Sequence, residues 1–220
     1  MSIRVIITGA TGMVGEGVLH ECLLHPEVEE VLVINRKPVG KLHPKLKEIL
    51  HSNFSDLSPL KAQLKNYDAC FFCLGVSSVG MKEEKYYELT YALTLNVARI
   101  LAEENPNMIF CYISGAGTDS SEKGRSMWAR VKGKTENDLM KLPFRKVYAF
   151  RPGYLHPTPG LKNVLRGYRF LSWLYPVWRG LFPKYVTTLR ELGQAMINAA
   201  LKDYDKNVIE VRDIQILAKK

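Results

Sequence analysis

No stretch of this 220-residue chain is apolar for long enough to span a membrane, and no internal repeat or low-complexity segment interrupts it. Those absences exclude a helical membrane span and a repeat array, and at 46% hydrophobic composition nothing marks disorder. A secretory leader is not expected either. Strand-like apolar residues begin at Ile3, which leaves no room for a charged region, an apolar region and a cleavage site, so a cytoplasmic protein is expected. Cysteine is scarce, at four residues. Cys70 and Cys73 lie in the apolar run Ala69 to Leu74, which reads as a buried strand. Residues three apart on a strand point to opposite faces, so these thiols cannot converge on a metal or a disulfide and read as reduced core cysteines. His20, His25, His43, His51 and His156 lack any H-E-x-x-H or comparable ligand spacing, and no metal is expected.

The most informative feature present is Gly9-Ala10-Thr11-Gly12-Met13-Val14-Gly15, which follows the apolar run Ile3 to Thr8 and opens the periodic segment Met13 to Leu24. A strand, a glycine turn and a helix start in that order make a phosphate cradle. Amides at the helix N-terminus, backed by aligned peptide dipoles, stabilise a diphosphate, and glycine lets the backbone approach without a Cβ in the way.

Strand and helix patterns then alternate. Val31 to Ile34, a short segment near Ile49, Ala69 to Leu74, Met108 to Ile113 and Lys146 to Phe150 read as strands; Glu83 to Glu104 and Met127 to Lys141 read as helices. Strands apolar along their whole length are covered on both faces, which predicts a doubly wound, mostly parallel α/β sheet. Ligands of such a sheet lie beyond the strands' carboxyl ends, where strand order reverses, so the loops after Thr8, Leu74, Ile113 and Phe150 should share one rim. Residues 152–160, rich in proline and glycine, cannot continue as regular structure. Leu161 to Tyr175 is helix-like, Thr188 to Leu201 is helical, and Val208 to Val211 and Ile214 to Leu217 supply one or two late strands. The length suits one core, so residues 1–220 read as a single domain with 152–187 as a small helical cap on the substrate side.

The net charge of +9 is uneven: residues 123–190 hold fifteen Lys or Arg against Glu136 and Asp138 alone. Such a field draws anionic ligands. No helix-turn-helix, zinc or single-strand-binding signature accompanies it, so nucleic acid is not expected as a partner. Lys162, Arg166 and Arg169 share one helical face while Val164, Tyr168, Leu171 and Tyr175 share another, and Phe170, Trp173, Trp178 and Phe182 add aromatic area. This segment reads as a lid over a substrate pocket, as an interfacial helix touching anionic membrane, or as a helix packed on the core; Pro176 and Pro183 favour the lid.

Arg36 after the second strand, Leu74-Gly75 after the fourth, Ser114 ending the fifth, Lys132 on the next helix and Arg151-Pro152-Gly153 after the sixth complete a constellation with the glycine turn. Over roughly residues 3 to 155 it resembles the short-chain dehydrogenase/reductase superfamily, in particular its atypical T-G-A-T-G-x-x-G branch, similar to the Tat-interacting tumour-suppressor and NAD-dependent epimerase/dehydratase-like families. The resemblance implies a Rossmann fold and a nicotinamide dinucleotide held by Gly9, Thr11, Gly12, Met13, Val14, Gly15, Arg36, Lys37, Leu74, Gly75, Asn96, Lys132 and Arg151. It implies that Ser114 binds the substrate oxygen, that Lys132 holds the nicotinamide ribose and that Asn96 supports Lys132 through water.

Trp128 stands where that superfamily has its catalytic tyrosine, four residues before Lys132. An indole N–H donates a hydrogen bond but does not ionise usefully, so it cannot supply the proton. No displaced Tyr-x-x-x-Lys occurs elsewhere. Tyr154, His156, Tyr112 or a bound water remain, with Tyr154 the best placed in the chain. Arg36 and Lys37 at the end of the second strand suit a 2′-phosphate, where an acid would select the free ribose hydroxyl, so NADP(H) is expected over NAD(H). Asp56-Leu57 resembles the family's adenine-side pair, although Asp56 equally suits a local cap. Two functions stay open: an NADP(H)-dependent oxidoreductase acting on a small carbonyl substrate, and a non-catalytic dinucleotide-binding regulator or scaffold. The resemblance allows a homodimer through the helices after the fourth and fifth strands, and a monomer fits as well.

Overall fold

Seven strands lie side by side in the order β3 (Leu46–Leu50), β2 (Val28–Asn35), β1 (Ile3–Thr8), β4 (Ala69–Phe72), β5 (Ile109–Ile113), β6 (Lys146–Arg151) and β9 (Val208–Glu210), each adjacent pair parallel. They belong to a computed structural model that describes residues 2–164 and 175–220. Strand order reverses at β1 and β4, where Thr8 sits level with Ile34 on one side and Phe72 on the other. A crevice therefore opens beyond Thr8.

Side-chain alternation divides the core into two layers. Ile7, Phe71, Cys111 and Phe150 face α1 (Met13–Leu24) and the later helix Leu189–Lys202, while Ile6, Phe72, Phe110 and Tyr112 face the helices that follow β4 and β5. Helix-forming residues continue from α2 (Glu83–Tyr87) through a π-helical turn, Glu88–Ala92, into α3 (Leu93–Glu104). The periodic segment expected over Glu83 to Glu104 is thus continuous, with one wide turn inside it. Cys70 packs in the α3 layer and Cys73 against the α1 layer, on opposite sides of the sheet; burial pushes both thiols up.

Beyond the sheet, α4 (Met127–Leu139) precedes β6, a parallel pair joins β7 (Tyr154–His156) to β8 (Val186–Thr188), and α5 (Tyr175–Leu181) lies between them in the chain. The proline- and glycine-rich stretch therefore does contain regular structure: three residues between its glycines and prolines find a partner strand that no local signal announces. Most of the helix expected over Leu161 to Tyr175 lies outside the described residues. Helix α6 (Leu189–Lys202) starts at Thr188, whose side chain and that of Glu191 cap each other's backbone. The strand expected at Ile214 to Leu217 is instead a helix, α7 (Val211–Leu217). Glu210 and Asp213 form a second reciprocal cap, and Val211, Ile214 and Leu217 are buried at helical spacing. A run this short cannot be told from a strand by hydrophobicity alone.

Candidate cofactor and active site

The glycine turn beyond β1 divides its labour among three residues. Gly9 has φ +71°, and a Cβ there would come within 2.8 Å of the Leu74 backbone, so the loops after β1 and β4 touch. A Cβ on Gly15 would sit 2.2 Å from the Gly9 carbonyl oxygen, so Gly15 lets α1 close onto the turn. Gly12 faces open space apart from that same oxygen at 3.4 Å. Helix α1 has no side-chain cap, and its first intrahelical bond runs from the Glu16 N–H to the Gly12 carbonyl at 2.8 Å. The amides of Met13 and Val14 are thus left for a ligand, and an anion fits there.

The three glycines should respond differently to alanine. Gly15→Ala forces the backbone apart and is expected to destabilise the fold by about 1–3 kcal/mol or more, as overpacking does. Gly12→Ala should leave stability nearly unchanged and weaken dinucleotide binding. Urea unfolding alongside calorimetric titration with cofactor separates the two effects.

On the adenosine side, the buried Asn35 side chain at the end of β2 accepts the Ala10 N–H at 3.2 Å and so ties the turn to the next strand. Arg36 and Lys37 follow, exposed and without an ion pair among the described residues. They line a cavity of about 660 Å³ with Thr11, Glu16, Lys162 and Asn163. Asp56 accepts the Ser58 N–H at 2.9 Å, and that bond holds its carboxyl below the usual range, so it serves the start of the turn Ser58–Gln63. Asn96 donates to the Ser55 carbonyl at 2.6 Å. That bond ties α3 to the loop before Ser58 and leaves the amide's second N–H and its oxygen for other partners.

At the other end of the crevice, Ser114 is 7% exposed and its N–H reaches the Phe150 carbonyl at 2.8 Å. Its Oγ lies 2.9 Å from Thr118 Oγ1, which itself donates to the Gly115 carbonyl at 2.8 Å. With the threonine proton spent there, Ser114 is the donor to Thr118 and keeps lone pairs for an incoming hydroxyl. Lys132 stretches from α4 to donate to the Ile113 carbonyl at 3.1 Å and the Ser114 carbonyl at 3.4 Å, with Nζ 5.1 Å from the Tyr112 ring centre. Burial lowers its pKa from 10.5 to about 8, against the pull of Glu136.

That value sets a pH window. A step needing the ammonium should run fully below about pH 8 and fall above it, seen in the pH profile of kcat/KM. Because the folded pKa is depressed, the unfolded chain holds the extra proton between about 8 and 10.5, so stability rises with pH across that window. Lys132→Met should flatten both profiles.

Trp128, one turn before Lys132, lays its six-membered ring along Gly115 and Gly117, whose Cβ positions lie 3.8 and 3.7 Å from it. Tyr112 is 1% exposed, and burial pushes its pKa up, which makes its phenol a weaker acid closed off from solvent. His156 stacks on Tyr175 with ring centres 3.9 Å apart, and burial lowers its pKa, so it stays neutral at pH 7. Tyr154 packs edge-to-face on Trp178 at 5.4 Å and donates its N–H to the Tyr185 carbonyl at 2.8 Å. With Gly153, Phe182 and Val186 these residues line an almost wholly apolar cleft of about 320 Å³. The loop carrying Ser114 is joined to this wall by the Ala116 N–H, which donates to the Pro152 carbonyl at 2.9 Å.

Arg151 does not face the crevice. Its Nε donates to Glu136 at 3.0 Å, one terminal nitrogen bonds Glu210 at 3.2 Å, and the other serves Glu136 and Ser120. Arg151 is 9% exposed and Glu136 fully buried, so the guanidinium is a clamp joining β6, α4 and β9 and not a cofactor ligand. Sequence reasoning missed Glu136, Thr118, Glu16 and Lys162. The one local signal was the placing of an acid at Glu136, one helical turn past Lys132.

Residues 5–125 match the NAD dependent epimerase/dehydratase family, more than half of the chain. The chain belongs to that family. Its cofactor class is therefore a nicotinamide dinucleotide, in agreement with the open amides above α1. Protein fmp52, mitochondrial, of Aspergillus clavatus is 26% identical over 220 residues, 93% of this chain and 90% of that relative. The fold is similar to that of a UDP-N-acetylglucosamine 4-epimerase from Methanobrevibacter ruminantium at 18% identity and TM-score 0.67, covering 94% of this chain and 76% of that one. It is similar also to a short chain dehydrogenase from Burkholderia cenocepacia in complex with NADP, at 15% identity and TM-score 0.65, covering 94% and 86%. The relative's name corrects the cytoplasmic expectation. That expectation rested on the lack of one kind of leader pattern, and a mitochondrial address need not take that form.

Proposed function

We propose that this chain is an NADP(H)-dependent oxidoreductase of mitochondria that acts on a small carbonyl compound with an apolar body. One observation carries the reading: Lys132 is held by the Ile113 and Ser114 carbonyls beside the Ser114 hydroxyl, at the end of a crevice whose other end offers uncapped helix amides and the exposed cations Arg36 and Lys37. The bound nicotinamide supplies or accepts the hydride. Met13 and Val14 amides take the diphosphate, Arg36 and Lys37 the 2′-phosphate, and Lys132 the nicotinamide ribose. Ser114 accepts from a substrate hydroxyl in the oxidising direction and, on rotating its own proton away from Thr118, donates to the carbonyl in the reducing one. Tyr154, whose wall is joined to the serine loop through Pro152, provides the proton. The apolar cleft beside it receives the substrate body, since its lining is largely aromatic and carries no charged group.

NADPH consumption over a panel of aliphatic and aromatic carbonyl compounds tests this, with Lys132→Ala and Tyr154→Phe as controls. Wild type should turn over, and both variants should lose most of that activity. One observation favours a second reading, a dinucleotide-binding regulator: Trp128 fills the place from which a tyrosine would act. If wild type binds NADPH tightly and consumes none with any compound, the regulator replaces the enzyme.

A further inference from the structure

Glu16 lies in the first turn of α1 and is 4% exposed, yet its charge is not left bare. One carboxylate oxygen accepts the backbone N–H of Lys162 at 3.1 Å and the other that of Asn163 at 2.7 Å, and Lys41 Nζ stands 3.8 Å away. The segment so captured follows β7, whose Leu155 packs in the same layer of the core as α1. It leaves β7 after His156, passes Pro157 and Pro159, packs Leu161 against the α1 layer, and ends with Lys162 on the rim of the cavity that holds Arg36 and Lys37. The Lys162 side chain is exposed and has no ion pair among the described residues.

We propose that Lys162 is the third cation for the adenosine 2′-phosphate, with Glu16 as the positioning residue that holds it there. The inference rests on the NADP(H) reading above. Both Glu16 oxygens are occupied by backbone amides, so this carboxylate is not the acid that would select a free ribose hydroxyl. Instead it uses its charge to hold a strap, and the strap returns a lysine to the cavity. The remaining charged side chains on the cavity wall, Arg36, Lys37 and Lys162, are all cationic, which suits a dianionic phosphate monoester and offers a ribose hydroxyl no second carboxylate. A cofactor-selecting residue thereby sits on the same segment as Tyr154 and the substrate wall.

Calorimetric titration of the full chain with NADPH, NADH, 2′-AMP and 5′-AMP tests the assignment. Lys162→Ala should weaken NADPH and 2′-AMP by roughly 10-fold, the loss of one charge-assisted contact, while NADH and 5′-AMP stay within about twofold. Lys162→Arg should restore the preference. Glu16→Gln should also weaken NADPH selectively, because an amide NH₂ would face one of the strap's N–H groups. Should that variant unfold, the surface change at Lys162 still decides. If Arg36→Ala erases the preference for NADPH and Lys162→Ala leaves it intact, the inference is wrong and the NADP(H) reading stands. If wild type binds NADPH and NADH equally, that reading fails and the inference with it.

Discussion

Arg151→Ala is expected to destabilise the protein by about 3–5 kcal/mol, the penalty for leaving a buried charge without its partner. Glu136 is fully buried, and Arg151 makes both of its carboxylate bonds while also holding Ser120 and Glu210. Replacing both members by apolar residues of similar size, Arg151→Met with Glu136→Leu, should recover much of the loss, because the cost of desolvating two charges vanishes along with their attraction. Urea unfolding followed by circular dichroism, arranged as a double-mutant cycle, measures the coupling. Should Arg151→Ala stay within 1 kcal/mol of wild type and instead weaken NADPH, the clamp is wrong and the residue returns to the cofactor site.

Trp128→Tyr is expected to raise kcat by roughly 10²-fold or more, the range over which a positioned general acid acts. The substituted phenol would stand one helical turn before Lys132, on the side of α4 that meets the loop after Ser114. The ammonium nearby favours the phenolate and so brings the tyrosine pKa down toward the working range. The variant should therefore show a new titrating limb in its kcat profile with NADPH affinity unchanged. Equal turnover by wild type and Trp128→Tyr, or none by either, would count against a reductase that merely lacks its usual acid.

The two variants probe different depths of legibility. The strand, glycine turn and α1 could be read from residues 3 to 24 because the signals that mark them, an apolar run, the glycine spacing and a helical period, all lie within that segment. That Ser114 and Lys132 lie side by side was legible by position, one following an apolar strand and the other a turn into the next helix. The bond from Asn96 to Ser55 carries no local signal, because its partner lies 41 residues away. Arg151 was misread for the same kind of reason: it follows an apolar strand at the rim, where a ligand contact is the usual expectation, but Glu136 and Glu210 reach it from 15 and 59 residues away. The terminal helix α7 was taken for a strand because its apolar residues are few, and its reciprocal cap at Glu210 and Asp213 resembles an ordinary acidic loop.

Local chemistry by itself determined the alternation of strands and helices, the phosphate cradle and the cationic end of β2, since propensity, periodicity and glycine freedom act over a few residues. The tertiary structure alone decided that Arg151 clamps the core, that β7 finds β8, and that Glu16 holds Lys162 across a separation of 146 residues. A buried charge takes whichever partner the folded chain brings within hydrogen-bond reach, and no pattern within one segment records that distance.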